Sequence, residues 1–399
     1  MARRSRDPIP QTAAELTAAW LDTVLTAHRG GAHVTAVEVS TLGIGVGFVG
    51  EIHRCRLTWD GDGPRCPDSV IVKIPSAHKK NRALAEGLMA YEREIRVYRD
   101  IGPALGAPMP ELYHASMDPA PAPWLERFIL WLFDVLPVAA IGWLVDRFLA
   151  LTERSTRRYI LVLEDIADAR PPVQAQGGSV DDTLAALAVL ARLHATNWMN
   201  SGLVEANPIV WALDRGPKVI QAGYLRNREA FQLRFGAEVP AGLFTRLDQT
   251  QDRIPDLVRH MAGAPWTILH GDYRLDNLLF RPSGDIVVLD YQGVAKGRAG
   301  WDVAYFITTA LEPEHRGQEP RLLHAYHDAL VGAGVTTYSF DELDRDVAVT
   351  KELLVHRMVS GSSMIDTDTE EVEGDDTLVD LLFARTAGWL DLDRPDEAA

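Results

Sequence analysis

The sequence predicts an α+β chain of two lobes, the first rich in strands and the second rich in helices. Three observations predict it. Four short runs of β-branched and aromatic residues fall within the first 165 residues. From Asp181 onward apolar residues recur at helical spacing instead, beginning with the Leu/Ala run that ends at His194. Between the two regimes, Glu164-Asp165 breaks the last clear strand and reads as a hinge. A 399-residue chain with 47% hydrophobic residues has enough apolar side chains for two cores. The expected divisions are a leading helix over 1–30, an N-terminal lobe over 31–166 and a C-terminal lobe over 167–399.

Leu16, Trp20, Leu21 and Leu25 share one helical face, so residues 12–28 read as a leading helix. Strands are expected at Val34–Val39, Glu51–Trp59 and Ser69–Ile74, with Gly61-Asp-Gly-Pro64 as the turn before the third. Gly43-Ile-Gly45-Val-Gly47-Phe-Val-Gly50 lies between the first two. Its glycines let a turn approach phosphates and offer them N–H groups, although glycine-bearing hairpins are also common. Residues 80–101 carry one long helical pattern, ended by Gly102-Pro103, and Arg158–Leu163 is the fourth strand.

Between them lies an insertion at about 118–156 that joins two strands of the small lobe. Its apolar stretch from Phe128 to Val145 approaches the length of a membrane span. Asp134 and Pro137 interrupt it, and Glu126, Arg127, Asp146 and Arg147 flank it. Two amphipathic helices joined near Pro137 are therefore expected. They have three uses open to them: packing on the protein, forming a homodimer contact, or lying on a membrane surface as a peripheral anchor.

The chemistry concentrates in Ile268-Leu-His-Gly-Asp-Tyr-Arg-Leu-Asp-Asn-Leu-Leu-Phe280 and Ile286-Val-Val-Leu-Asp-Tyr-Gln292. Leu278-Leu-Phe280 and Ile286–Leu289 are short apolar runs, and Arg281-Pro-Ser-Gly-Asp285 supplies a turn between them. A hairpin there brings Asn277 and Asp290 together at one end. Two oxygen ligands side by side can hold Mg²⁺, whose other ligands are usually waters and substrate phosphates. Asp272, just before the hairpin, is then free to accept a proton from an attacking hydroxyl. An Asp, an Asn and a metal-binding Asp in this order form a phosphoryl-transfer pattern. Lys73, in Val70-Ile-Val-Lys-Ile74, stands on a strand where kinases use a lysine to pair the nucleotide phosphates.

At these residues the chain resembles the aminoglycoside phosphotransferase and choline kinase superfamily of small-molecule kinases, and within it the ecdysteroid-kinase-like branch. His270-Gly-Asp272 stands where protein kinases have His-Arg-Asp, and Asp290-Tyr-Gln292 where they have Asp-Phe-Gly. The resemblance runs from Thr12–Leu21 to Trp301–Phe306. It implies a two-lobed, protein-kinase-like fold with ATP in the cleft and Mg²⁺ as cofactor. It also implies transfer to a hydroxyl of a small organic molecule, a lipophilic alcohol such as a sterol ahead of an amino sugar.

By the same resemblance Asp272 is the catalytic base, and Asn277 and Asp290 are the metal ligands. Gly45, Gly47 and Lys73 contact the nucleotide. Glu94 partners Lys73, because the family pattern has a glutamate four residues before the aromatic that Tyr98 matches; Glu92 and Glu86 are the other candidates. The hinge backbone at Glu164 and Ile166 takes the adenine. His270 holds the catalytic loop through its ring nitrogens. Asp302 is either a helix N-terminal residue in a favourable dipole contact or, as the resemblance implies, a brace for that loop. Arg274 and Asp276 either touch phosphate or substrate, or are solvated.

Composition removes several classes. A formal charge of −16 and a pI near 5.2 argue against a nucleic-acid surface. Cys55 and Cys66 make no disulfide framework and suit a reducing cytosol. The basic start, Met1–Pro10, leads into no apolar core and is not a secretory signal. No Cys/His cluster has zinc spacing, no Gly-x-Ser-x-Gly elbow is present, and His194 reads as a packed core histidine. The acidic run Ile365–Asp376 either attracts a cationic substrate or forms a solvated loop. A protein kinase is disfavoured because no Ala-Pro-Glu follows Asp290. The rival from another class is a catalytically silent nucleotide-binding or membrane-docked scaffold, which has no need of Lys73, Asp272, Asn277 and Asp290 together.

Overall fold

The computed structural model describes residues 9–42, 50–61, 63, 66–120, 123–207, 210–363 and 378–390. Gly45 and Gly47 and the acidic run at 366–376 lie outside the described residues. The first element is helix α1 (Ala18–Val24), preceded by a short 3-10 turn at Ala13–Glu15. It is shorter than the helix expected over 12–28. Thr17 caps α1 by accepting the Trp20 N–H.

Strands β1 (Val34–Leu42), β2 (Gly50–Trp59) and β3 (Ser69–Pro75) follow. Helices α2 (Lys79–Gly87) and α3 (Ala90–Arg96) then lead to β4 (Leu112–Met117). The single helix expected over 80–101 is thus broken: Met89 takes a left-handed φ of 53°, and a π turn covers Val97–Ile101. The insertion forms α4 (Pro123–Val135) and α5 (Val138–Thr152), split at Pro137, and β5 (Tyr159–Glu164) completes an antiparallel sheet ordered β1-β2-β3-β5-β4.

Strand alternation decides what this sheet presents to each side. Val70, Val72 and Ile74 of β3 pack with Leu16, Trp20, Leu21 and Leu25 from the leading segment. Ile71 and Lys73 point the other way, towards α3 and the cleft. A one-residue register slip would bury the lysine under α1 and remove it from the cleft.

The second lobe begins with α6 (Val180–Thr196), α7 (Ser201–Ala206), the short β6 (Trp211–Ala212), α8 (Pro217–Phe235), α9 (Leu243–Thr250) and α10 (Ile254–Ala262). Four three-residue strands carry the site: β7 (Thr267–Leu269), the hairpin β8 (Leu278–Phe280) and β9 (Ile286–Val288), and β10 (Ala295–Gly297). Helices α11 (Gly300–Ala310), α12 (Glu319–Gly332), α13 (Phe340–Gly361) and α14 (Leu378–Gly388) close the lobe. A capping box between Ser339 and Glu342 starts α13.

The insertion packs on the protein itself. Phe133, Leu136, Ile141 and Val145 meet Val219 and Ala222 of α8, and Lys218 donates to the Asp134 and Leu136 carbonyls at 2.6 and 3.2 Å. Its other side reaches the small lobe, where a Cβ on Gly87 of α2 would lie 3.1 Å from the Phe148 ring. The insertion therefore links the lobes at a second place besides the hinge. Trp124, Phe128, Trp131 and Val135 remain exposed along one face of α4. Among the described residues, no helix is long and apolar enough to cross a membrane.

One buried group on α13 makes the large lobe sensitive to acid. His356 is fully buried, and burial pushes its pKa down to about 3 against the pull of Asp248; its ring lies 3.1 Å from the Thr250 hydroxyl. The unfolded chain takes up that proton near the ordinary value of 6.5. Between those values the unfolded state binds more protons, so stability falls as pH falls, by up to about 1.4 kcal/mol per pH unit. Denaturant midpoints measured from pH 7 to pH 4 should therefore decline less steeply in His356→Gln than in the parent. Identical slopes would show that His356 does not contribute.

Candidate active site

The catalytic loop leaves β7 as His270-Gly271-Asp272 and is fixed from below by Asp302, which is fully buried at the start of α11. Its carboxylate accepts the His270 N–H at 2.6 Å and the Gly271 N–H at 2.9 Å, and lies 3.2 Å from the His194 ring. The other His194 nitrogen lies 2.6 Å from the Tyr326 hydroxyl. A buried carboxylate with this many partners is held, not stranded. His270 Nε2 donates to the Leu289 carbonyl at 2.8 Å, and Nδ1 accepts the Asp272 N–H at 3.3 Å. The histidine thus ties the catalytic loop to the segment that carries Asp290.

Those two segments cross backbone on backbone. A Cβ on Gly271 would lie 2.0 Å from the Gly293 carbonyl oxygen, and its φ of +78° favours glycine in any case. Asp290 has φ 60°, a left-handed conformation that few non-glycine residues adopt and that recurs at functional sites.

Asp272 is half-buried at the cleft floor. Its Oδ1 accepts the Tyr305 hydroxyl at 2.7 Å, and its Oδ2 accepts Asn277 Nδ2 at 3.0 Å. Burial and the Asp272 charge push Tyr305 well above the usual phenol range, so it remains a donor. Asn277 also donates to the Asp272 carbonyl at 2.8 Å, and its amide oxygen accepts no hydrogen bond from a described residue. The hairpin sets Asn277 opposite the neighbour of Asp290: Leu289 donates its N–H to the Asn277 carbonyl at 2.8 Å. Arg274 and Asp276 are not solvated: Arg274 is buried, donates to Asp276 at 2.6 Å, and lies 3.6 Å from Asp272. Asp276 also accepts the Gln174 N–H at 3.2 Å.

From the upper lobe, Lys73 reaches Glu94 at 2.6 Å and Asp290 at 3.5 Å. Burial opposes a charge on Lys73, but the Asp290 and Glu94 carboxylates outweigh it and hold the ammonium protonated. Burial pushes Glu94 up and Asp290 adds to that, while Lys73 pulls the other way. Glu92 is engaged elsewhere, by Arg96 and Arg157, and Glu86 by Arg82. At the hinge, the Glu164 N–H is committed to the Glu111 carbonyl at 2.9 Å, whereas the Ile166 N–H makes no hydrogen bond to a described residue. Arg54 and Ser69 both bond the Asp165 carboxylate, pinning the sheet to the hinge.

Lys73, Glu164, Ile166, Asp272, Asn277 and Asp290 line one cavity of about 1760 Å³ between the lobes, with Glu94 behind Lys73. His270 and Asp302 stand beneath it as supports. Sequence reasoning missed Tyr305, although its place three residues after Asp302 sets both on one face of α11. It also missed Arg93, buried between two glutamates, which donates to the Gln292 carbonyl at 3.1 Å and so links α3 to the Asp290 segment. No spacing rule marks either one. Among the described residues, no cluster of three or more His, Cys, Asp or Glu is placed to hold a metal by itself.

The sequence model of the phosphotransferase enzyme family matches residues 52–338. Curated protein sequences give no match. Among solved structures, the chain is similar to spectinomycin phosphotransferase in complex with ADP and spectinomycin (10% identity, TM-score 0.49, covering 94% of this chain and 99% of that one). It is also similar to a Plasmodium vivax ethanolamine kinase (10% identity, TM-score 0.48, covering 89% and 82%). A third similar structure is macrolide 2'-phosphotransferase type I (14% identity, TM-score 0.47, covering 96% and 99%). With identities and scores this low, the assignment rests on the family match, which spans well over half of the chain. The chain belongs to the phosphotransferase enzyme family.

Proposed function

We propose that the protein transfers the γ-phosphoryl group of ATP, with Mg²⁺, to a hydroxyl of a lipophilic small molecule. The observation that carries this reading is the convergence of Asp272, Asn277, Asp290 and the Lys73–Glu94 pair on one cleft. The donor set fits a magnesium ion. Asp290 Oδ1 is buried with the Lys73 ammonium 3.5 Å away and no hydrogen bond of its own, and the Asn277 amide oxygen accepts none. These two oxygens would hold Mg²⁺, which when bound would neutralise charge on the nucleotide phosphates.

The chain's own groups supply the rest. Lys73 offers a permanent cation to the phosphates, held in place by Glu94. The Ile166 N–H, which no described residue accepts, is available to the adenine at the cavity wall. Asp272, oriented by Tyr305 and Asn277, accepts the proton of the acceptor hydroxyl. As that oxygen bonds to the γ-phosphorus, the bond from phosphorus to the bridging oxygen breaks and ADP leaves. Leu84, Leu88, Val219, Ile220, Phe231 and Met358 line the acceptor half of the cavity, which supports a lipophilic alcohol over an amino sugar. The resemblance to the ecdysteroid-kinase-like branch supports the same preference.

Asp272→Ala should lower turnover about a hundredfold or more while nucleotide affinity stays within a few-fold, measured by ADP release and calorimetry. A variant that kept most of its turnover would remove Asp272 as the base. Asp290→Asn should weaken MgATP binding and collapse turnover together, because a neutral amide replaces a charged metal ligand. Lys73→Ala should likewise depress activity through the lost phosphate contact. Parent-like MgATP affinity and turnover in both variants would contradict the nucleotide half of the assignment.

A further inference from the structure

The acceptor half of the cavity contains donors that the fold leaves unanswered. Arg357, on α13, is exposed along its side chain and lines the cavity. Its guanidinium lies 5.8 Å from the centre of the Trp301 ring and makes no hydrogen bond or ion pair with any described residue. Other arginines lining the same cavity are engaged: Arg54 with Asp165, Arg234 with Asp380 and Arg274 with Asp276. Trp301 lines the cavity too, is 3% exposed, and its buried indole N–H has no acceptor. Buried donors are normally satisfied, so an orphan beside an uncommitted cation calls for an explanation.

Location adds to this. Trp301 immediately precedes the loop brace Asp302, and Tyr305, one turn on, bonds the Asp272 carboxylate. The positive charge of Arg357 is close enough to act on the Tyr305 phenol. An unpaired cation and an unanswered N–H donor thus share the cavity wall with Asp272, beside the apolar side chains of Ile220, Leu354 and Met358. Because Arg357 is exposed, its charge is solvated and not spent on a protein carboxylate, so it is available to an anionic ligand.

We propose that the acceptor is an amphipathic hydroxy acid: its carboxylate pairs with Arg357 beside Trp301, its apolar body lies along α2 and α8, and its hydroxyl meets Asp272. This rests on the kinase reading above and deepens it, since it names the acceptor's second polar group. A guanidinium matches a carboxylate in two parallel hydrogen bonds, which would fix the acceptor's orientation as well as its affinity.

The test uses the full chain with MgADP bound and two simple probes, decanoate and decanol, followed by calorimetry. Decanoate should bind about tenfold or more tightly than decanol, the scale of a charge-assisted pair. Arg357→Gln should abolish that difference by weakening decanoate alone, and Arg357→Lys should restore part of it. Equal affinity for the two probes, or an Arg357→Gln variant that keeps the decanoate preference, would overturn the proposal. So would a variant that loses MgADP affinity instead, because the arginine would then serve the nucleotide.

ADP release separates this idea from the reading beneath it. Hydroxydecanoates should be phosphorylated with higher kcat/KM than their methyl esters. If neutral alcohols are phosphorylated and the acids are not, the kinase reading stands and the carboxylate falls. If no hydroxylated compound of either kind gives ADP release above the Asp272→Ala background, both fall.

Discussion

A buried carboxylate at the start of α11 sets the geometry on which the rest of the site depends. Asp302 is fully buried, and its two oxygens take the N–H groups of His270 and Gly271. Removing one partner of such a group typically costs about 3–5 kcal/mol, because the remaining charge is left without compensation. The catalytic loop can therefore occupy one position relative to α11. That single turn also carries Trp301 in the acceptor wall and Tyr305 on the Asp272 carboxylate. The 270–272 loop, Asp272 and this part of the cavity wall are placed by the same helix, which limits how far any one of them can drift.

The two lobes must also keep register across a cleft, and several polar contacts do this. Lys73 of β3 reaches Asp290 of the lower lobe, and Arg93 of α3 holds the Gln292 carbonyl. Arg54 and Ser69 fasten the sheet to Asp165 at the hinge. On the acceptor side the insertion packs on α8 and approaches α2. The lobes are thus joined at the hinge, at the Lys73–Asp290 and Arg93–Gln292 contacts and along the insertion. A preorganised cleft lowers the cost of bringing nucleotide and acceptor into line.

Much of the fold and of the polar site was legible in the sequence, for physical reasons that differ between the two. Strand alternation around Val70, Val72 and Ile74 marked β3 and therefore the side on which Lys73 stands. The run from His270 to Gln292 marked a hairpin because apolar runs flanked clear turn chemistry. Helix breaks were harder to see. Nothing at Leu88-Met89 signals a stop in the way Gly102-Pro103 does, so one helix was expected where two stand. Long-range polar pairings left no local trace at all. Arg274 looked as ready to be solvated as buried, because its environment is supplied by Asp276 and Asp272 in a folded loop. Tyr305 and Arg357 acquire meaning only through what faces them, Asp272 in one case and an open cavity in the other.

The proposed reaction moves a phosphoryl group from ATP onto the oxygen of a small organic alcohol in this cleft, with Asp272 taking the proton. Phosphorus NMR of the full chain with ATP, Mg²⁺ and, in parallel samples, a hydroxydecanoate and its methyl ester shows the product itself. A growing phosphate-monoester resonance matched by ADP is expected, and none with Asp272→Ala. Growth of inorganic phosphate alone with both acceptors, or a monoester that forms equally well in that variant, would contradict it.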